Sequence, residues 1–268
     1  MSGPFLAVDI GNSAVKVARW DGTWGEVASY KSSVEAPAHV WAPRLAKLAY
    51  GARAGGVCSV VPALTPRLAD ALAEVTGTPP FVVRTDGPLP FRMGYATPHT
   101  LGNDRVAAAA AAWLRFGTDP ARPLIAFDAG TAITVEAIDL SADGPVYRGG
   151  AIFPGPHTLR QSLARGTAQL PEVEWERPAS PIGTSTSEAI QAGLTALVLD
   201  GMAGLLRRTA DALSEPPVIV ATGGWGGWLA RRLPMVDHVA PHLVLFYDEC
   251  MRIAQNWTDF ALCQRTGR

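Results

Sequence analysis

Cysteine and net charge are both scarce in this sequence. Three cysteines occur among 268 residues, Cys58, Cys250 and Cys263, and their spacing contains no CxxC pair. This pattern argues against a disulfide framework and against a cysteine-ligated zinc site. The formal net charge is −1, without a long run of lysine or arginine, so the sequence lacks the basic surface typical of nucleic-acid-binding proteins. Small-molecule chemistry is the expected class of function.

Long apolar runs and several common active-site motifs are also missing. The sequence has no stretch of 18 apolar residues and no basic segment ahead of an apolar N-terminal run, which predicts a soluble cytoplasmic protein without a membrane partner. It contains neither GxxxxGK[ST] nor a GxGxxG ahead of a helix, and neither HExxH nor GxSxG. Any phosphate chemistry must therefore use an architecture other than the P-loop or the Rossmann fold.

Apolar residues make up 48% of the chain and charged residues 18%, a composition typical of globular proteins. Strand-like and helix-like segments are mixed throughout, which predicts an α/β fold. A Pro- and Gly-containing segment at 117–123 predicts a boundary between two domains, 1–118 and 119–268, with the last helix packing back on the first. The predicted strands are 5–9, 14–20, 56–61, 81–85, the two arms of 123–139, 147–154 and 218–224, and the predicted helices are 41–50, 65–76, 103–116, 156–165, 186–210 and 245–262.

One pattern occurs twice: an apolar strand, an Asp-x-Gly turn and a second strand. The first copy is AVDIGNSAVKV, with Asp9 and Gly11, and the second is AFDAGTAITVE, with Asp128 and Gly130. An internal repeat of this kind predicts two similar halves.

The first copy has the residues of a phosphate-binding turn. Gly11 removes the Cβ that would keep backbone N–H groups away from a phosphate, and Asn12, Ser13 and Lys16 add donors. Asp9 ends a buried strand, where an ionised carboxylate needs a cation, a donor or a ligand, and one carboxylate with substrate phosphates suits Mg²⁺. The alternative is a hairpin turn whose aspartate caps its own backbone.

The segment GNDR, residues 102–105, lies at a predicted helix start, where free N–H groups attract anions. Asp104 is either a capping residue, with Asn103 as the other candidate cap, or a general base beside Arg105, which would anchor an anionic or polar substrate group. Tyr95 and Pro98, just upstream, are candidate pocket walls.

Three further segments have a functional and a structural interpretation. The glycines of GGAIFPG, residues 149–155, indicate close backbone approach. IGTSTSEA offers hydroxyls and Glu188 ahead of a helix, which an ordinary N-cap also explains. ATGGWGG ends an apolar strand, either as a nucleotide contact or as a turn.

Taken in order, DIGNSAVK, LGNDR, FDAGTAIT and GGAIFPG resemble the type III pantothenate kinases, which include the Bvg accessory factor proteins. The resemblance also includes GTAQLP at 166–171 and VIVATGG, and it covers nearly the whole chain. It implies the duplicated ribonuclease H-like fold of the acetate and sugar kinase, Hsp70 and actin superfamily (the actin-like ATPase fold), with two similar halves around a central cleft. The implied reaction is transfer of the γ-phosphoryl group of ATP to the hydroxyl of pantothenate, the first step of coenzyme A synthesis.

The resemblance also implies roles for individual residues. Asp104 matches the proton acceptor, Asp128 the ligand of an activating K⁺ or NH₄⁺ ion, and Thr131 an ATP contact, while Asp9 lies nearest to Mg²⁺ and the phosphates. Typical members are homodimers with the site near the subunit interface. The nucleotide loop matches Asp9, Ile10, Gly11, Asn12, Ser13, Ala14, Val15 and Lys16, and the pantothenate contacts match Tyr95, Gly102, Asn103, Asp104, Arg105 and Thr186.

The sequence departs from the family pattern at four positions. Ser185 stands where asparagine is frequent, Glu136 where aspartate is common, and Trp225 and Trp228 where smaller aliphatic residues are usual. Two other functions stay open on sequence grounds: a non-catalytic regulatory or binding member of the Bvg accessory factor group, and a kinase of the same superfamily acting on another small hydroxyl compound.

Overall fold

A computed structural model describes residues 3–175 and 180–247. The chain forms two compact units: described residues 3–90, 95–119 and 242–247 belong to the first, and 91–94 together with the described part of 120–241 to the second. The elements are, in chain order, β1 (Phe5–Ile10), β2 (Ala14–Trp20), β3 (Ala28–Lys31), α1 (Trp41–Ala46), β4 (Ala54–Ser59), α2 (Thr65–Thr76), β5 (Phe81–Val82), β6 (Arg92–Met93), α3 (Asn103–Ala112), β7 (Leu124–Ala129), β8 (Ala132–Ser141), β9 (Gly144–Pro154), α4 (Pro156–Gly166), α5 (Thr186–Asp211), β10 (Val218–Thr222), α6 (Gly226–Ala230) and β11 (His238–Val239).

The first unit is built on a five-stranded sheet in the order β3-β2-β1-β4-β5. Strand β1 is antiparallel to β2 and parallel to β4, and all six of its residues are buried. Leu6, Val8 and Ile10 pack with Trp41 and Leu45 of α1 and with Leu68 and Leu72 of α2, while Phe5 and Ala7 lie in a second cluster with Leu245. Because β1 lies at the centre of the sheet, the aspartate near its end is held by a rigid element.

The second unit contains a six-stranded sheet in the order β11-β10-β7-β8-β9-β6. Its central strand β7 is antiparallel to β8 and parallel to β10. The core joins Phe127 and Val135 of the sheet to Val198, Met202 and Leu206 of α5.

The two sheets share one arrangement, in which a central strand lies between an antiparallel hairpin partner and a parallel strand. Asp9 pairs with Lys16 in the first hairpin and Asp128 pairs with Thr134 in the second, so the second turn is one residue shorter. The repeat predicted from the sequence is confirmed at the level of strand order.

Most predicted elements are confirmed. Helix α2 ends at Gly77, whose φ of 74° is the left-handed conformation expected of a C-cap glycine. Helix α1 is shorter than predicted, and the helical segment from Asn103 changes at Trp113 into a π-helical turn. Residues 243–247 are helical, and the remainder of the predicted C-terminal helix lies outside the described residues.

Helix α5 has 26 residues and enough apolar character, by length and composition alone, to cross a membrane. One side of it is buried, including Val198, Met202 and Leu206 in the core of the second unit. The core helix of a soluble domain accounts for the same composition.

Candidate active site

The first site element is the turn between β1 and β2. Asp9 is only 9% exposed, and its Oδ2 lies 3.7 Å from Nζ of Lys16, its partner across the hairpin. The Gly11 N–H donates to the carbonyl of Ala14 at 3.0 Å and closes the turn. A buried carboxylate is therefore held beside a partly exposed ammonium group.

The tip of this turn is open while its base is fixed. Asn12 and Ser13 are exposed. The Ser32 hydroxyl donates to the Gly11 carbonyl at 2.5 Å, and the Ser32 N–H donates to the Ser13 carbonyl at 3.1 Å. A fixed turn with an exposed tip can meet a ligand with little loss of conformational entropy.

The second site element is the start of α3. Its N-cap is Gly102, in an extended conformation, so the expectation of a cap at Asn103 or Asp104 is wrong. The Asp104 Oδ1 accepts a 2.8 Å hydrogen bond from the N–H of the next residue, Arg105. A Cβ on Gly102 would lie 2.5 Å from that oxygen, so glycine is needed to leave room for the carboxylate.

The pKa of the Asp104 carboxyl is raised above its ordinary value. Burial is the largest cause, and it outweighs the hydrogen bond from the Arg105 N–H and the charge of Arg105, which both lower the pKa. Desolvation disfavours the ionised form. The group is therefore a stronger base than an exposed aspartate.

The structure brings these two elements to one edge of the first sheet. Ile10 is the parallel partner of Ser59, and the Val60 N–H donates to the Ile10 carbonyl at 3.1 Å. The Asn103 side chain donates to the Ser59 carbonyl at 3.1 Å. Tyr95 is half-buried on the segment after β6.

The third site element, in the second unit, is the turn after Asp128. The Gly130 N–H closes it by donating to the Ala132 carbonyl at 3.0 Å. The Thr131 carbonyl accepts from the Gly155 N–H at 2.9 Å and from the Thr158 hydroxyl at 2.6 Å. The start of α4 is thus fixed to the turn.

Glycines allow close approach around this turn. A Cβ on Gly155 would clash with the Gly130 carbonyl, and a Cβ on Gly223 would clash with Oδ1 of Asp128 and lie 2.7 Å from the Ala129 carbonyl oxygen. Gly150 is needed for a different reason, because a Cβ there would clash with the Val135 carbonyl inside the sheet. The glycines of GGAIFPG therefore serve both the turn and the sheet.

The donor sets fit different cations. Within residues 3–175 and 180–247, no group of three or more His, Cys, Asp or Glu side chains could enclose a metal. Asp9 offers one carboxylate, which suits Mg²⁺ when substrate phosphates and water supply the other ligands. At the second turn, Oδ1 of Asp128 and the carbonyl oxygen of Ala129 both border the space beside Gly223, and the carbonyl also accepts from the Trp225 N–H at 3.0 Å. Both are hard oxygen atoms of the kind that bind cations.

The family departures have structural explanations. Ser185 is the N-cap of α5 and accepts from the Glu188 N–H, while the Glu188 carboxylate accepts from Thr184. Because the Ser185 N–H also donates to the Glu188 carboxylate, this is a capping box. Thr186 is the exposed first residue of the helix. Glu136 is buried and accepts a hydrogen bond from the Tyr147 hydroxyl.

Trp225 and Trp228, the other two departures from the family pattern, form an edge-to-face cluster with Trp175. The ring centroids in this cluster are 5.3 to 5.9 Å apart. The Trp225 N–H donates to the Ala129 carbonyl at 3.0 Å. This cluster therefore packs directly behind the Asp128 turn.

Sequence reasoning missed several residues that hold these turns in place: Ser32, Ser59 and Thr158. Each acts through a backbone carbonyl, its own or that of another residue, so none carries a local motif. Gly223 lies within ATGGWGG, for which the sequence predicted a nucleotide contact or a turn.

The chain is similar to known kinases along most of its length. Residues 5–208 match the model of the type III pantothenate kinase family. The chain is 34% identical to the type III pantothenate kinase of Chlorobaculum parvum over 251 residues, which cover 90% of this chain and 91% of that protein. It is 32% identical to the type III pantothenate kinase of Dehalococcoides mccartyi, with 91% and 95% covered.

Solved structures show the same fold. A Campylobacter jejuni protein described as a Baf family transcriptional activator has a TM-score of 0.59 at 19% identity, with 94% of this chain and 99% of that chain covered. A glucokinase from an Antarctic psychrotroph has a TM-score of 0.51 at 11% identity, with 92% and 97% covered. The predicted actin-like ATPase fold is thereby confirmed, and the family match and the sequence identities show that this chain belongs to the type III pantothenate kinase family.

Proposed function

We propose that this chain catalyses the reaction of its family, transfer of the γ-phosphoryl group of ATP to the hydroxyl of pantothenate, with Asp104 as the proton acceptor. The observation that carries the assignment of the base is the position of Asp104. Its carboxylate, with a raised pKa, lies at the helix start that Asn103 ties to the same sheet edge as the Asp9 turn.

Asp104 acts on the hydroxyl of the acceptor. As the hydroxyl oxygen forms its bond to the γ-phosphorus, the bond from phosphorus to the oxygen of the leaving ADP breaks, and the hydroxyl proton passes to the carboxylate. Gly102 leaves room for that carboxylate. The main-chain atoms of residues 102–105 and the Tyr95 side chain contact pantothenate, and Arg105 anchors its anionic end.

The turn from Asp9 to Lys16 binds the phosphates. Asn12 and Ser13 at its exposed tip and the Lys16 ammonium group donate to phosphate oxygens, and Asp9 holds Mg²⁺ directly or through water. Bound Mg²⁺ supplies charge neutralisation and orients the phosphates for in-line transfer. The Lys16 ammonium group lies 3.7 Å from Oδ2 of Asp9, and its charge offsets part of the cost of burying a carboxylate.

In the second unit, Asp128 holds a monovalent cation, K⁺ or NH₄⁺, and Thr131 contacts ATP. Support comes from the two oxygen atoms that border the space beside Gly223, Oδ1 of Asp128 and the carbonyl of Ala129, because such cations take oxygen ligands. Thr158 and Gly155 hold the turn in shape.

The protein acts as a cytoplasmic homodimer without a nucleic-acid or membrane partner. Support for the dimer comes from α5, where the small and apolar residues Gly193, Ala196, Leu197 and Gly201 form an exposed stripe at helical spacing that also includes Asp200. An apolar cavity of about 270 Å³ that includes Leu197 and Gly201 lies beside it. Thr186 begins the same helix, so a partner covering the stripe would lie near this pantothenate contact.

The test is a phosphoryl-transfer assay with pantothenate, ATP and Mg²⁺, with and without potassium, on the wild type and on Asp104→Asn. We expect phosphopantothenate from the wild type and a loss of about 10²- to 10⁴-fold in kcat for the variant. Asp104→Asn should melt at or above the wild-type temperature at pH 7, because it removes a carboxylate whose ionised form burial disfavours. Full activity in the variant would refute the assignment of Asp104 as the base.

A folded wild type that makes no phosphopantothenate would refute the kinase assignment. Phosphoryl transfer to another hydroxyl compound would then favour a related small-molecule kinase. No phosphoryl transfer to any compound would favour a non-catalytic member of the family.

A further inference from the structure

The side chain of Asn103 is committed to the sheet of its own unit. Its Nδ2 donates to the carbonyl of Ser59, the last residue of β4, across 3.1 Å. In the described part of the chain, β5 pairs with β4 only at Gly56 and Val57, and the Val83 N–H then donates to the Val57 carbonyl. Carbonyls two residues apart point to the same side of a strand, so the Ser59 carbonyl faces the β5 side just beyond the end of β5.

Asn103 therefore takes the place of the next strand residue. A backbone carbonyl at a sheet edge needs a donor, and Asn103 supplies one from the first residue of α3. The Ser59 hydroxyl is engaged elsewhere, accepting from the Val61 N–H at 3.1 Å and from the Thr65 hydroxyl at 2.7 Å. Both the carbonyl and the hydroxyl of Ser59 are therefore hydrogen-bonded, and the carbonyl bond attaches α3 to the end of β4.

This hydrogen bond links the two catalytic elements of the first unit. Ser59 is the parallel partner of Ile10, and Val60 donates to the Ile10 carbonyl. Ile10 follows Asp9 directly, and Asn103 precedes Asp104 directly. The connection between the two aspartates runs through one side-chain amide and one strand end.

We propose that Asn103 is a positioning residue, which holds Asp104 at the correct place relative to the Asp9 turn by hydrogen bonding to the Ser59 carbonyl. This inference rests on the proposed function. It differs from the role expected from family resemblance, in which the residue contacts pantothenate, because here the Nδ2 atom donates to the Ser59 carbonyl of the strand.

The two roles give different kinetics. Loss of a direct substrate contact that is equally strong in the ground and transition states raises KM and leaves kcat unchanged. Loss of positioning lowers kcat, because a misplacement of about 1 Å can cost about 10²-fold in rate. For Asn103→Ala we expect kcat to fall at least about tenfold and KM for pantothenate to change by less than about threefold.

A second variant, Asn103→Asp, protects the test against a folding failure. It keeps the side-chain shape, places an acceptor against the Ser59 carbonyl, and adds a negative charge in the first helical turn, which favours helix formation. Its kcat should fall at least as far as that of Asn103→Ala. A rise of about tenfold in KM with unchanged kcat would overturn the positioning role, and so would wild-type values of both constants.

A double-mutant cycle with Asp104→Asn is the decisive measurement. If Asn103 acts through Asp104, Asn103→Ala should lower the residual kcat of Asp104→Asn by less than about twofold, since residues that act as a unit are strongly non-additive. Additive losses would overturn the proposal.

Amide hydrogen exchange separates this inference from the kinase assignment, because it needs no activity. Exchange at residues 105–106 should be faster in Asn103→Ala than in the wild type, and Thr100→Ala, on the exposed turn before α3, should leave it unchanged. Unchanged exchange in Asn103→Ala would refute the anchor even if the protein proves to be an active kinase. Faster exchange in a protein without kinase activity would refute only the proposed function.

Discussion

The raised pKa of Asp104 has a direct consequence at the residue scale for the pH dependence of catalysis. A base accepts a proton only when ionised, so the rate falls as the pH drops below its pKa. Burial raises that pKa, and the acid limb of kcat/KM should therefore begin above the range of an ordinary aspartate, about 3.9. The measurement is a pH profile of phosphopantothenate formation at saturating Mg²⁺.

Ionisation of the ATP phosphates also contributes to an acid limb, so Asp104→Asn serves as the control. The pH profile of its residual activity should lose the part of the acid limb that comes from the Asp104 carboxylate and keep the part that comes from the ATP phosphates. Identical limbs in the two proteins would contradict the assignment of Asp104 as the base.

Gly223 offers a second residue-scale prediction, with a control at the next position. Its φ is 84°, and a Cβ would clash with Oδ1 of Asp128, whereas a Cβ on Gly224 meets nothing within 4 Å. An L-residue in the left-handed region costs about 1–2 kcal/mol. Gly223→Ala should lower the free energy of unfolding by about that amount or more and weaken activation by potassium.

Gly224→Ala should lie within about 0.5 kcal/mol of the wild type in denaturant unfolding and show normal potassium activation. Equal effects of the two substitutions would remove the steric explanation.

Residues with their own side-chain chemistry beside a strand or helix end, such as Asp9, Asp104 and Asp128, stand out in the sequence as candidates, and their roles stay predictions. Residues that act on distant backbone do not stand out. Ser59 meets Asn103 across 44 positions, and this contact depends on where β5 stops, which no local pattern determines.

At the scale of single elements, Asp139 fastens the end of β8 to the segment after α5. It is 5% exposed, and its Oδ1 accepts from the Ser214 hydroxyl at 2.7 Å and from the Ser214 N–H at 3.0 Å. Burial by itself raises the pKa, but the bonds from Ser214 and Leu140 and the charge of Arg148 outweigh it, so the pKa of Asp139 is lowered.

A lowered folded-state pKa means that the ionised group stabilises the fold above the unfolded pKa of about 3.9, and that this stability is lost as the pH falls through the folded pKa. Asp139→Asn should therefore lower the free energy of unfolding at pH 7 by about 1–3 kcal/mol, and the difference should shrink below about pH 4. Urea unfolding at several pH values measures it.

Asp143→Asn, at a highly exposed side chain nearby, is the matched control and should change stability little at any of these pH values. A loss for Asp139→Asn that did not depend on pH would point to packing instead of charge.

Element boundaries were predictable where the chain carries its own stop signal. Helix α2 ended at Gly77 as expected, because a helix end of this type requires a left-handed residue and glycine adopts that conformation most easily. Helix α3 begins at Asn103 as predicted, but its cap was assigned wrongly, because the N-cap is Gly102 and the Asp104 carboxylate bonds to the adjacent Arg105 N–H. Capping preference and catalytic position favour the same residue type at a helix start, so sequence alone does not separate them.

At the scale of the whole molecule, the repeated Asp-x-Gly hairpins predicted the duplicated strand order, since each copy fixes one central strand and its antiparallel partner. The repeat did not predict how the copies differ. The first turn closes over four residues and the second over three. Among the described residues, Gly155 and Gly223 pack closely against the second turn, and no such pair packs against the first. This asymmetry is in keeping with the different roles proposed for the two turns.

The exposed stripe on α5 leads to a prediction about assembly. Leu197 is 57% exposed at its centre, and burying a charge there in a dimer would carry a large desolvation cost. Leu197→Glu should shift the protein to monomer at micromolar concentration in analytical ultracentrifugation. Tyr50→Glu, at a side chain 87% exposed on the first unit, is the control and should leave the assembly unchanged.

The KM for pantothenate tests whether the dimer interface lies near the substrate. If the partner covers the stripe next to Thr186, the Leu197→Glu monomer should show a raised KM for pantothenate, because that contact depends on the partner's presence, while the Asp9 turn and Asp104 remain intact within the first unit. A monomeric variant with wild-type KM would place the dimer interface away from the substrate. A dimeric Leu197→Glu protein would show that α5 does not form the interface.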